Sequence, residues 1–120
     1  MRSPLTVRSR TVSGLAVVEA AGEVDVATAA RLRTELLDVL SGGGLPPERV
    51  IVDLSAVTFV DSSGLGVLVA AHRRAEGAGV GFAVVTERRA TLRLLRISGL
   101  HKILPVYPTV AEAAGRSDHD

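Results

Sequence analysis

The chain has 120 residues, of which 47% are hydrophobic and 2% aromatic, with 14 Lys and Arg against 13 Asp and Glu. This length fits one compact domain over residues 1–120 that buries roughly two-thirds of its unfolded-state surface. The balanced charge and scarce aromatics argue against a nucleic-acid partner. Cysteine is absent, which excludes disulfides and thiolate metal sites, and no apolar run reaches the roughly 20 residues that span a bilayer. We therefore expect a cytoplasmic protein with no membrane partner.

The first half of the chain predicts a strand pair, a helix and a buried strand. The segments Leu5–Arg10 and 15–22 read as two strands joined by a short turn. Apolar residues then recur at helical spacing from Val26, with Asp25 as the predicted N-cap and glycines at 42–44 as the stop. The run "RVIVDLS" has the continuous hydrophobicity of a strand covered on both faces, which is typical of parallel sheets.

The second half alternates helices and strands. It predicts, in order, a helix at 62–77, a strand at 80–86, a helix at 87–99 that ends at Gly99, a short strand at 102–107 and a short helix from Pro108. This alternation predicts an α/β fold with a mostly parallel sheet, right-handed crossovers and the first two strands as an antiparallel hairpin at one edge. We expect a core over about residues 5–114 and a flexible tail over 115–120.

Ligands of open α/β sheets bind beyond the carboxyl ends of the strands, so the loops at these ends are the first place to look for function. The second strand leads to Glu23 and Asp25, the third to the segment 54–66, in which "AVTFV" is expected to be a buried connection, and the fourth to 86–88. We expect these three loops to share one end of the sheet.

The segment "DSSGLG", residues 61–66, opens the second helix. Ser62 and Ser63 lie where first-turn N–H groups lack helical partners and the helix dipole favours negative charge. Serine is also a favoured N-cap, so both residues could simply cap the helix. Gly64 and Gly66 each cost about 1 kcal/mol of helix propensity relative to Ala. They either relieve crowding against the sheet or admit a phosphate or a partner surface, and the residues alone leave both interpretations open.

Other chemistries have weaker support. "SGGGLPP" lacks the Lys-Ser/Thr ending of a nucleotide-binding P-loop, the three histidines have no metal-ligand spacing, and Ser63 lacks a Gly-x-Ser-x-Gly elbow. Asp53 ends an apolar strand, as the phospho-accepting aspartate of a receiver domain does. Such a domain also needs an acidic pair after its first strand and a lysine late in the chain. Here the acidic pair, Glu23 and Asp25, follows the second strand, and Lys102 does not follow the last one. The pairs Arg73–Arg74 and Arg88–Arg89 are typical of solvated faces, with contact to an acidic partner as the alternative. We expect no metal and no cofactor.

Three segments carry a family resemblance. "VIVDLSAVTFVDSSGLGVLVAAHRRA", with "AGEVDVATA" before it and "LLRISGLHKILPVYPTVAEA" after it, resembles the STAS-domain anti-sigma-factor antagonists of bacteria over nearly all of Leu5–Ala114. "DSSGLG" is the most specific element. The resemblance implies a single STAS-like domain with its strands in sequential order. It also implies a protein-binding switch, not an enzyme.

In that family the unphosphorylated protein binds an anti-sigma factor that is also a serine kinase, and thereby releases a sigma factor. The resemblance implies that this kinase phosphorylates Ser62, with Ser63 as the minor alternative, and that a serine phosphatase reverses the switch. The partner-binding residues that it implies are Asp25, Asp61, Ser62, Ser63, Gly64, Leu65 and Gly66. We expect a monomer or weak dimer. The alternative is a non-catalytic STAS subunit of a transport or signalling assembly.

Overall fold

The computed structural model describes residues 4–115, which form five strands, four α-helices and one 3₁₀ turn. The strands are β1 (Thr6–Val12), β2 (Leu15–Val24), β3 (Arg49–Val60), β4 (Gly81–Val85) and β5 (Val106–Tyr107), and the helices are α1 (Ala29–Ser41), α2 (Ser62–Gly77), α3 (Arg89–Ile97) and α4 (Val110–Gly115), with the 3₁₀ turn at Leu100–Lys102. The predicted order of elements is confirmed. Gly115 closes α4, and the rest of the predicted tail, 116–120, lies outside the described residues.

The five strands form one sheet in the sequential order β1-β2-β3-β4-β5. β1 and β2 pair in antiparallel fashion, and all other neighbours are parallel. Ser13 and Gly14 connect the hairpin with positive φ angles of 51° and 83°. This pair of values fits the type I′ turn whose twist matches that of two antiparallel strands. The predicted α/β class, hairpin edge and sequential strand order are confirmed.

The main core lies between one face of the sheet and the helices α1, α2 and α3. Its fully buried side chains include Leu32 and Leu36 of α1, Leu68 of α2 and Leu95 of α3. Burial of one such leucine stabilises the fold by about 1.5–3 kcal/mol. On the opposite face, Ala113 of α4 packs with four strand residues, which are Val17, Ile51, Ala83 and Val85. The first half of β3 is therefore covered on both faces, as its hydrophobic run predicts.

β3 is longer than predicted, because it continues to Val60. Its register with β2 shifts twice, between Glu19 and Ala21 and between Gly22 and Glu23. These irregularities break the alternation of inward and outward side chains, so that Val57 joins the same core as Leu54. The segment "AVTFV" therefore forms the second half of a strand and not a loop.

The parallel register decides which loops are neighbours. Val24 pairs with Val60, so Asp25 and Asp61 occupy matching positions just beyond the two strands. β4, in contrast, ends opposite Asp53, and the seven further residues of β3 extend about 20 Å at the usual rise of a strand. The expectation that the loop 86–88 shares this end of the sheet is therefore wrong, because β4 stops early.

Among the described residues, no helix is long and apolar enough to cross a membrane.

Candidate functional site

Asp61 caps the start of α2. Its backbone is extended, its carboxylate Oδ1 accepts a hydrogen bond from the Ser63 N–H at 2.8 Å, and its carbonyl accepts one from the Leu65 N–H at 3.2 Å. The interpretation of the serines as caps is therefore wrong, because the carboxylate one residue earlier takes that position. Ser62 becomes the first helical residue and is exposed, whereas Ser63 is half-buried.

The start of α2 is attached directly to the end of β2. The Asp61 N–H donates to the Val24 carbonyl at 3.1 Å. At Gly64 a Cβ atom would lie 2.8 Å from the Cγ1 atoms of both Val24 and Val60, which is closer than real Cβ atoms approach. Gly64 is therefore needed to avoid crowding against the sheet. Of the two interpretations of this glycine, the structure supports this one and not the close approach of a phosphate. Gly66 has open space around its Cα and is exposed, so the glycine one turn after Ser62 leaves the surface free.

Asp25 holds the turn that joins β2 to α1. Its Oδ1 accepts hydrogen bonds from the N–H groups of Ala27 at 2.9 Å and Thr28 at 3.1 Å, and its carbonyl accepts from Ala29 at 2.8 Å. The prediction of Asp25 as the N-cap of α1 is wrong by three residues, since α1 begins at Ala29 with Thr28 at the cap. The extra turn between strand and helix is what Asp25 stabilises.

The residues predicted to bind the partner differ in exposure. Asp25 is 4% exposed and Leu65 is 7% exposed, and Gly64 is buried as well. These three residues are packed beneath the surface of the corner formed by residues 24–26 and 60–66, so they do not offer contact surface. Ser62 and Gly66 are exposed, and the other two predicted residues, Asp61 and Ser63, are half-buried.

Val26 is the residue of this corner that the sequence pattern misplaces. Its position in the apolar repeat predicts a core-facing residue of α1, but it lies in the turn after Asp25 and is 82% exposed. One sequence signal could have identified Val26 as exposed. It is a single apolar residue directly after the Asp that ends a strand, and such a residue lies in the turn before the helix begins. Val26 lies two residues after Val24, which pairs with the last residue of β3, and its exposed side chain is available for contact with a partner.

The corner carries a hydroxyl and carboxylates and is not arranged as a metal site. Over residues 4–115, His, Asp and Glu side chains form no group of three or more that could hold a metal ion. The chemistry that the geometry offers is an exposed hydroxyl at a helix N-terminus, where the dipole and the first-turn amides favour an added negative charge.

The described residues form one α/β domain with a STAS-like fold. The STAS domain family model matches residues 6–113, so the chain belongs to the STAS-domain family. It is 34% identical over 109 residues to the anti-sigma-F factor antagonist RsfB of Mycobacterium tuberculosis, which covers 91% of this chain and 86% of the relative. An anti-sigma F factor antagonist of Paenibacillus polymyxa is 31% identical, over 83% of this chain and 84% of the relative.

A solved structure agrees with these relatives. The crystal structure of an anti-sigma factor antagonist from Mycobacterium paratuberculosis superposes with a TM-score of 0.85 at 34% identity, and the match covers 95% of this chain and 96% of that chain.

Proposed function

We propose that this protein is an anti-sigma-factor antagonist that is switched by phosphorylation of Ser62. The single observation that carries the switch is the placement of Ser62, which is the exposed first residue of α2, directly after the capping Asp61 and one turn before the open Gly66. The named relatives that match across more than four-fifths of the chain support the antagonist function. In this proposal the unphosphorylated form binds an anti-sigma factor and frees a sigma factor in the cytoplasm.

The start of α2 can carry a phosphate without loss of the fold. Phosphoserine adds about −1.5 to −2 charges at neutral pH. At the first helical position this charge faces the positive end of the helix dipole and amides that have no acceptor within the helix. Because the Ser62 side chain is exposed, the phosphate remains solvated in the free protein. Phosphorylation should therefore leave the stability of the domain nearly unchanged.

The interface with a partner would respond differently. The Asp61 carboxylate already occupies the cap beside Ser62, and Asp25 lies at the matching position of the neighbouring strand. A phosphate would concentrate negative charge at a corner that also presents the apolar Val26. Removal of a phosphate from water against a surface shaped for a hydroxyl costs several kcal/mol. A loss of about 3 kcal/mol weakens binding more than a hundredfold.

In this proposal the chain is the substrate of a kinase and not an enzyme itself. The partner is an anti-sigma factor with serine kinase activity, and a separate serine phosphatase returns the protein to its binding form. The alternative, a non-catalytic STAS subunit of a larger assembly, has less support. The relatives and the solved structure that match most of this chain are named anti-sigma factor antagonists.

Phosphate mapping tests the switch. The purified protein, Ser62→Ala and Ser63→Ala are each incubated with the candidate anti-sigma kinase and ATP, and the products are analysed by intact mass and peptide mass spectrometry. We expect one phosphate on the wild type and on Ser63→Ala, and none on Ser62→Ala. Phosphate on Ser63, or no phosphate while the kinase modifies another substrate, would contradict the assignment of Ser62.

A binding measurement tests the consequence. Ser62→Ala should bind the anti-sigma factor as the wild type does, whereas Ser62→Asp should bind at least about tenfold more weakly, a difference of about 1.4 kcal/mol. Ser63→Asp is the matched control, because its side chain is half-buried one position further along α2. Equal affinities of Ser62→Ala and Ser62→Asp would show that negative charge at this position does not control binding.

A further inference from the structure

We propose that the exposed arginine face of α3 is a docking site for an acidic, partly apolar segment of a partner protein. The face consists of Arg89, Arg93 and Arg96 with Leu92 between them, and these four residues line one shallow groove. The three arginines recur at intervals of four and three residues, which places them on one side of the helix. All three are exposed.

Positive charge is concentrated in the part of the sequence that contains this face. Residues 88–111 contain five Lys and Arg and no Asp or Glu, whereas the whole chain has a net charge of only +1. The remaining residues therefore carry a net charge of −4. Within residues 4–115, none of the three arginines of the groove forms an ion pair or a hydrogen bond through its guanidinium group. The face is thus a positive surface with unused donors on a chain that is otherwise acidic.

The arginines at the start of α3 stand where they do not help the helix, whereas Arg96 in the last turn does. Arg88 occupies the N-cap of α3 without a side-chain hydrogen bond, Arg89 begins the helix, and the first turn contains no acidic residue. Cations at this end oppose the helix dipole, and the like charges of Arg89 and Arg93 repel at their four-residue spacing. A face that served solubility alone would gain from acidic residues here. The unfavourable placement is explained if a partner supplies the negative charge.

Exposed apolar residues in and after α3 identify the kind of partner. Ile97 at the end of α3 is 72% exposed, and Ile103 after the 3₁₀ turn is 54% exposed. Guanidinium groups bind carboxylates through paired hydrogen bonds, and Ile97, four residues after Arg93, offers apolar contact on the same side of the helix. A nucleic-acid backbone would leave the isoleucines unused, and the groove is concave, which suits a protruding protein segment better than a flat membrane.

This face is separate from the corner that carries Ser62. α3 follows β4, which ends opposite Asp53, whereas α2 follows Val60 at the far end of β3. Binding at the arginine face therefore does not depend on the phosphorylation of Ser62, and an experiment can contradict either one without affecting the other.

The test uses a fluorescein-labelled short helical peptide that carries Glu at every third or fourth position with Leu between, and a second peptide with Gln in place of Glu. Fluorescence anisotropy with the full chain measures both affinities. We expect the Glu peptide to bind and to weaken steeply as salt rises, because the contacts are charged and exposed. The triple variant Arg89→Gln/Arg93→Gln/Arg96→Gln should bind it at least about tenfold more weakly.

The matched control is Arg8→Gln/Arg73→Gln/Arg74→Gln, which removes the same charge from exposed arginines elsewhere and should change the affinity less than about twofold. Ile97→Ser should weaken binding, and Ser62→Asp should leave it unchanged. Thermal unfolding should show that the α3 triple variant melts no lower than the wild type. No binding of the Glu peptide by the wild type, or an equal loss in both triple variants, would overturn the proposal. If a short DNA duplex or phosphatidylserine vesicles bound more tightly than the Glu peptide, the partner would be a nucleic acid or a membrane and not an acidic protein segment.

Discussion

The starts of α2 and α3 both follow a parallel strand, yet their electrostatics are opposite. At α2 the Asp61 carboxylate caps the helix, and an exposed hydroxyl follows it. At α3 no side chain caps the helix, and Arg88 and Arg89 bring positive charge to an end that is already positive. At the same structural position, α2 therefore carries a negative charge of its own, whereas α3 carries positive charges that no acidic residue of its first turn balances.

The largest stability effect is expected at the two glycines near the start of α2, Gly64 and Gly66. Gly64→Ala should lower the free energy of unfolding by about 1–2 kcal/mol, because its Cβ would overlap Val24 and Val60. Gly66→Ala should raise it by up to about 1 kcal/mol, because alanine is the better helix former and meets no neighbour. Urea unfolding of both variants measures the difference, and changes of the same sign would show that the start of α2 is not packed tightly on the sheet.

The next effect separates a capped helix from an uncapped one. Asp61→Ala should lower the free energy of unfolding by about 1 kcal/mol, because the Ser63 N–H loses its acceptor. Arg88→Ala removes the side chain at the corresponding position of α3, where no cap hydrogen bond exists, and should change stability by less than about 0.5 kcal/mol. Chemical denaturation measures both variants, and equal losses would show that the Asp61 cap does not stabilise α2.

The smallest effect tests the charges of α3 against the helix dipole. Arg89→Gln in the first turn should stabilise the domain by about 0.3 kcal/mol, and Arg96→Gln in the last turn should destabilise it by about the same amount. Both side chains are exposed, and both variants lose one charge. At low salt the two variants should change the free energy of unfolding in opposite directions, and both changes should approach zero at high salt because salt screens the charges. A difference that persists at high salt would point to packing as its cause.

The order of elements and the class of the fold could be predicted because each rests on local signals. Helical spacing before the glycines at 42–44 and the αL glycine at Gly99 both mark helix ends that the structure retains. The hydrophobic run 50–52 predicted a strand buried on two faces, which it is. Such signals survive folding because burial depends on the pattern of apolar residues more than on any single partner.

The errors have a different origin, since each depends on contacts between segments that are distant in the chain. The second half of β3 was hidden by bulges that only its pairing with β2 reveals. Asp61 caps α2 because its N–H is hydrogen-bonded to the Val24 carbonyl, which holds the chain in place just before the serines. The role of Gly64 required the positions of two valines on different strands. The candidate site could be located from the sequence, but its division into buried and exposed residues could not.

The overhang of β3 beyond β4 has a consequence for motion. Near Ser62 the sheet narrows to a two-stranded ribbon, in which Gly22–Val24 pairs with Val57–Val60 while the hydrogen-bonded ladders of β1 and β4 lie further down. Narrow ribbons contribute little cooperativity, so this end can open locally at lower free energy than the central strands. The amide protons of 57–60 should therefore exchange with solvent faster than those of 50–53, and Ser62 follows directly on this two-stranded part of the sheet.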